Sequence, residues 1–173
     1  VSDVSGNEDT AIPLSLSVSV PDSTETVVSV VISGVPDGAS LSLGTDNGDG
    51  SWTISGDDLD DLASLTVTPP ADSSDDFTLS IVATSSDGSE SDASTVDVWV
   101  SPVSDAPAIV AEDVSGSEDT SIALNLSVSV PDSTETVSSI TISGVPEGAS
   151  LSFGTDNGDG TWTISGDDLE NLE

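Results

Sequence analysis

The residues of this chain able to do chemistry are nearly all carboxylates. There are 33 of them in 173 residues, 24 Asp and 9 Glu, and Lys, Arg and His are absent. They gather in groups: Glu8 and Asp9; Asp57, Asp58, Asp60 and Asp61; Asp105 and Asp113; Glu118; Asp132 and Glu135; Asp156 and Asp159. Carboxylates at this density suit ligation of a hard cation through oxygen, or the paired acid and base of a glycosidase. Acidic pairs are too abundant here for closeness to single one out, and no pocket-forming insertion breaks the regular pattern. No enzymatic activity is expected. Ser and Thr have no imidazole or amine to activate them, and the lack of Cys removes thiolate and disulfide chemistry.

The net charge of −33 has further consequences. A chain without a cationic side chain cannot make the phosphate contacts that drive nucleic-acid binding, and anionic lipid repels it. No run of 18 apolar residues exists to enter a membrane. Nucleic acid and membrane insertion are therefore not expected. High charge with few aromatics favours disorder, but 34% hydrophobic residues in regular alternation favour a folded chain. Two carboxylates about 4 Å apart repel by roughly 1–4 kcal/mol, depending on the effective dielectric. Where carboxylates cluster, either a divalent cation relieves the repulsion or the acidic ends stay apart, and Ca²⁺, with six to eight oxygen ligands and flexible geometry, suits the set better than Mg²⁺.

An internal repeat organises these groups. Val4–Thr10 returns as Val114–Thr120, and Trp52 as Trp162, at an offset of 110. Residues 4–63 match 114–173 at 47 of 60 positions without a gap. The expected domains are a complete repeat at 1–105, a linker with the first strand of the next repeat at 106–113, and a second, shortened repeat at 114–173. The second repeat has no counterpart of Ser64–Val103. Half a sandwich leaves open edges, so either the polypeptide is expected to continue or another chain completes it.

Within the repeat the apolar period is two. Ile12–Val20 alternates strictly, and Val27–Ser33, Ala39–Leu43, Trp52–Ser55, Leu65–Thr68, Phe77–Ala83 and Thr95–Val103 are further short strands. Turns separate them at Val35–Gly38, Asn47–Gly50, Pro69-Pro70 and Asp87-Gly88. The expectation is all-β: tandem antiparallel β-sandwiches of about 110 residues. Counting strand reversals from a first strand around Val1–Ser5 puts Glu8, Asp9, the Gly56–Leu62 group and Asp105 at one end of the first repeat. Asp132, Glu135, Asp156 and Asp159, with Asp113 on the connecting strand, fall at the facing end of the second.

Asp46–Gly50 partly echoes an EF-hand loop, but in that register positions one and twelve fall on Thr45 and Gly56, and a glycine-based hairpin turn accounts for it better. Gly56–Leu62 reads equally as a solvated turn or a metal-binding arm. Trp52 and Trp162 sit in alternating strands and read as core. Trp99 is out of phase with its flanking valines and is a candidate for contact with sugar or partner.

The linker Val103-Ser-Asp-Ala-Pro107, the Glu118-Asp-Thr120 turn, Gly158-Asp-Gly-Thr-Trp162, and Leu65–Pro70 before Phe77–Ala83 resemble the immunoglobulin-like, cadherin-like repeats of giant bacterial RTX (repeats-in-toxin) adhesins. The resemblance covers the whole chain and implies Greek-key sandwich domains with Ca²⁺ held at their junctions. By topology it places Glu8, Asp58 or Asp61, Asp105 and Asp132 as ligands. With Asp9, Asp113 and Glu118 these make the candidate metal set. The linker departs from the fuller Asp-Asn-Asp-Asn form, implying fewer or weaker ions. The implied role is a secreted, extracellular extender at the bacterial cell surface, whose partners are neighbouring repeats of the same chain, in cell adhesion or biofilm formation. A self-assembling filament or surface-layer subunit completed by like chains, and a carbohydrate-binding module, are the alternatives.

Overall fold

The computed structural model describes residues 2–132 and 134–169. Val1, in the first expected strand, and the end of the second repeat beyond Leu169 lie outside the described residues. The chain divides into two compact units, Val1–Val103 and Ser104–Glu173.

The first unit is built from β1 (Val4–Asn7), β2 (Ile12–Pro13), β3 (Val27–Ser33), β4 (Ser40–Leu41), β5 (Thr45–Asp46), β6 (Ser51–Ser55), a 3₁₀ segment (Gly56–Ser64), β7 (Thr66–Thr68), β8 (Phe77–Ser85) and β9 (Ser94–Ser101). One six-stranded sheet has the order β1-β9-β8-β3-β6-β5, and a three-stranded sheet the order β2-β7-β4. All pairs are antiparallel except β1 with β9. Period-two alternation becomes a core because the registers keep one phase inward across four strands. Val30 faces Ile54 and Ala83, Ile32 faces Ile81, and Leu79 faces Val96. These residues join Ile12, Leu41 and Val67 of the smaller sheet in a single apolar cluster. Trp52, opposite Ile32, packs against that cluster. Trp99, in the opposite phase, is 53% exposed.

The order of strands corrects the reversal count. β6 runs antiparallel to β3, with Ser33 opposite Ser51 and Ser29 opposite Ser55. The Gly56–Ser64 segment therefore follows the end of β6 remote from Ser33. Asn7 and Ser101 mark the other end, because β1 pairs with β9, placing Asn7 opposite Ser101, and β9 pairs with β8, placing Val98 opposite Phe77. The count failed at residues 45–46. β5 adds a strand, hairpinned onto β6, that alternation over two residues cannot announce. One uncounted strand inverts everything up to the next fixed point.

The second unit contains β10 (Ala108–Ala111), β11 (Leu126–Ser129), β12 (Ser139–Ser143), β13 (Thr155–Asp156), β14 (Thr161–Ser165) and the helical turn α1 (Gly166–Leu169). Its β12-β14-β13 sheet repeats the β3-β6-β5 register: Ile140 faces Ile164, and Ile142 faces Trp162. In both units a glycine makes the turn into the hairpin possible. Gly44 and Gly154 have φ of 89° and 93°, and a Cβ there would come within 2.7 and 2.6 Å of the Thr53 and Thr163 carbonyl oxygens. Packing differs sharply between the units. Ile12 and Leu14 are 1% and 2% exposed, while Ile122 and Leu124, their equivalents, are 44% and 37% exposed. Among the described residues the second unit has no strands equivalent to β7, β8 and β9 to cover them. Leu14→Ala should therefore cost about 2–5 kcal/mol in urea unfolding. Leu124→Ala, at the same repeat position, should cost less than about 1 kcal/mol, and equal losses would contradict the packing described.

Candidate metal centre

The Glu8 end of the first unit begins with a locally encoded turn. The Thr10 hydroxyl donates to the Asn7 carbonyl at 2.8 Å, and Asp9 takes φ of 57°. The second unit builds the same turn from its own residues, with Thr120 donating to the Ser117 carbonyl at 2.7 Å and Asp119 at φ of 61°. The parallel pairing of β1 with β9 then decides what lies beside it. The Glu8 N–H donates to the Ser101 carbonyl at 3.1 Å, and the Val103 N–H donates to Glu8 Oε1 at 2.6 Å. Glu8 is 0% exposed, and its Oε2 is buried with no hydrogen-bond partner. Burying an ionised carboxylate costs on the order of several kcal/mol unless it is paired and fully hydrogen-bonded. No Lys, Arg or His exists in the chain to supply a counter-charge to Glu8.

Next to Glu8, Asp9 Oδ1 accepts the Asp72 N–H at 3.1 Å, and the two carboxylates can bring an oxygen each within 4.8 Å of one another. Asp76, from the same loop, accepts the Val100 N–H at 2.7 Å. Asp72 was not in the expected set. Its signal was the acidic run 72–76 after Pro69-Pro70, in the loop entering β8, whose antiparallel pairing with β9 places that loop beside Ser101.

Asp58 and Asp61 do not join this group. They lie beyond the opposite end of β3 and β6, where Asp58 Oδ2 accepts the Gly44 N–H at 3.1 Å and Asp61 is exposed. This corrects their expected placement beside Glu8. In the second unit, the Asp105 N–H donates to both Glu135 carboxylate oxygens at 3.2 and 3.3 Å. Asp132 is 1% exposed and accepts the Thr134 N–H and hydroxyl, each at 2.7 Å. Asp113 and Glu118 are exposed; Glu118, the equivalent of Glu8, has no β9 equivalent beside it among the described residues.

The EF-hand-like stretch is a β5–β6 hairpin. Asp46 accepts the Gly48 N–H at 2.8 Å, and Asp49 accepts the Ser51 hydroxyl and N–H at 2.6 and 3.1 Å. Asp156 and Asp159 do the same for Gly158 and Thr161. These hydrogen bonds stabilise the charged form and hold several carboxyls below the ordinary aspartate value of 3.8. For Asp22 and Asp132 the main cause is the N–H of Thr24 and Thr134. For Asp49, Asp159 and Asp87 it is the hydroxyl of Ser51, Thr161 and Ser85.

A lowered folded value means that each such turn contributes stability above the ordinary value and loses it as pH falls through the folded one. Carboxyl-carbon NMR should find Asp49 titrating below 3.8, the ordinary value. Ser51→Ala should move its midpoint upward, and an unmoved midpoint would remove the hydroxyl as cause. A scan against protein-family models, a search of curated proteins and a search of solved structures each find no match to this chain.

Proposed function

We propose that this chain consists of Ca²⁺-stabilised extender repeats, Greek-key immunoglobulin-like or cadherin-like sandwiches arranged in tandem, from a large secreted bacterial adhesin. The observation that carries this reading is Glu8: a wholly buried carboxylate with an oxygen left unpartnered, in a chain with no cationic side chain. The donors around it are all oxygen, which fits Ca²⁺ and excludes the softer metals that want Cys or His. Asp9 and Asp72, whose carboxylates can meet, would hold an ion in the first unit, and Glu8, the residue before Asp9, is proposed as a further ligand. In the second unit a different set, Asp105, Asp132 and Glu135, none of them a repeat equivalent of Glu8, Asp9 or Asp72, is the candidate. The ion supplies the positive charge that the chain lacks, so that filling such sites stiffens an array at its junctions. In extracellular millimolar Ca²⁺ the sites fill; at cytosolic levels they empty, leaving a chain that can be exported unfolded.

Extracellular modules bind Ca²⁺ with dissociation constants of about 10⁻⁴–10⁻³ M. With free Ca²⁺ at about 100 times the dissociation constant, one site adds about 2.7 kcal/mol. For a domain of this size that raises the melting temperature by roughly 10–20 °C over the same protein in EGTA. Glu8→Gln should leave the EGTA melting temperature equal or higher, since it removes a buried charge, and should lose most of the Ca²⁺-dependent rise. A melting temperature indifferent to Ca²⁺ would sink the reading.

A carbohydrate-binding role has one observation in its favour, the exposed Trp99 on the outer face of the six-stranded sheet. An oligosaccharide that stacks there should quench fluorescence in the parent chain and not in Trp99→Ala. Equal quenching in both would remove Trp99 as the contact.

A further inference from the structure

Of the five aromatic side chains, Trp99 alone is exposed; Trp52, Phe77, Phe153 and Trp162 are all partly buried. It stands on the outer face of the six-stranded sheet, on β9, which lies between β1 and β8. Its neighbour across the parallel ladder is Ser5, too small to cover an indole. Three carboxylates flank it. Asp97, the preceding residue in the same outward phase, is oriented by the Thr78 hydroxyl, which donates to its Oδ1 at 2.7 Å. Asp3 Oδ1 accepts the Asp97 N–H at 3.2 Å, and Asp76 Oδ1 accepts the Val100 N–H at 2.7 Å. These bonds tie Asp3 to the main chain two positions before Trp99 and Asp76 to the position after it.

The face of an indole ring is the negative side of its quadrupole and attracts a cation within about 6 Å of the ring centroid. The flanking carboxylates add to that field, and the chain has no cationic side chain to answer it. A neutral sugar ring could stack on the indole but would gain nothing from the charge around it. Among cationic groups the guanidinium fits best. It is planar and weakly hydrated, so it can lie on the ring while its N–H groups reach carboxylates at the ring's edge; an ammonium is a compact, strongly hydrated point charge. We propose that the Trp99 face is a docking site for an arginine in a basic segment of another polypeptide, stacked on the indole and donating to Asp97 and to Asp3 or Asp76. The opposite charges of partner and chain steer the encounter. The inference goes beyond the calcium reading and stands without it, since Asp3, Asp76 and Asp97 are not among the candidate ion ligands.

The test titrates hexa-arginine into the full chain in EGTA, which keeps the outcome separate from any metal effect, and follows the three indole N–H signals by NMR. The Trp99 signal, assigned by its loss in Trp99→Ala, should move while those of Trp52 and Trp162 stay. Trp99→Ala should weaken peptide binding by about 3–30-fold. Because Trp99 is outside the core, this variant keeps the fold. Asp97→Asn, which retains an acceptor for the Thr78 hydroxyl, should weaken binding more than Asp60→Asn, the same change of charge at the far end of the unit. Hexa-lysine should move the Trp99 signal less than hexa-arginine does. The proposal is overturned by a Trp99 signal that hexa-arginine leaves in place, by equal affinity in Trp99→Ala, or by equal losses in Asp97→Asn and Asp60→Asn, which would mark diffuse attraction to an acidic chain. A Trp99 signal moved by cellohexaose and not by hexa-arginine would give the face to carbohydrate instead.

Discussion

Thirty-three carboxylates with no cationic side chain must be placed so that a small aliphatic core can close beneath them. Since no ion pair to a side chain is possible, backbone N–H groups, hydroxyls, the side-chain N–H groups of Asn and Trp, water and external cations are what can stabilise the charges. The chain uses the first two repeatedly through one local device. In Asp22–Thr24, Asp46–Gly48, Asp49–Ser51, Asp87–Ser89 and Asp132–Thr134, the aspartate accepts the N–H two residues on, and in four of the five also a hydroxyl from the same residue. These turns need ionised carboxylates, keep charge at the ends of strands, and leave the strand faces to Val, Ile, Leu, Ser and Thr.

Glu8 departs from that pattern. It takes one hydrogen bond from Val103, is removed from water, and keeps an oxygen unsatisfied. Most of the acidic stretches that look like metal motifs are thus turn chemistry complete in itself. The residue best suited to a cation stands out by its burial, a property its immediate neighbours in sequence do not show. Glu118 sits in the same Glu-Asp-Thr turn and is exposed.

The two units show how far near-identical sequence carries. The β3-β6-β5 hairpin and its register recur in β12-β14-β13, with the same positive-φ glycines and the same Asn157 bonds to Thr161 and Thr163 that Asn47 makes to Ser51 and Thr53. Leu16–Ser19 and Leu126–Ser129 carry the same sequence, yet only the latter forms a ladder, because Ala108–Ala111 lies beside it. Alternation specifies which side chains point together; hydrogen-bonded strand needs a second strand to exist.

Composition and spacing alone determined the lack of thiol chemistry, the all-β class, the inward phase of Val30, Ile32, Leu79 and Val96, the turn at Glu8-Asp9-Thr10 and the repeat at an offset of 110. Each depends on residue type or on neighbours a few positions away. Tertiary structure decided that Asp72 lies beside Asp9, that Asp58 and Asp61 lie at the other end, and that Glu8 is buried while Glu118 is not. These depend on which strands pair and in which direction. A two-residue strand such as β5 can reverse that direction while leaving almost no trace in the hydrophobic pattern.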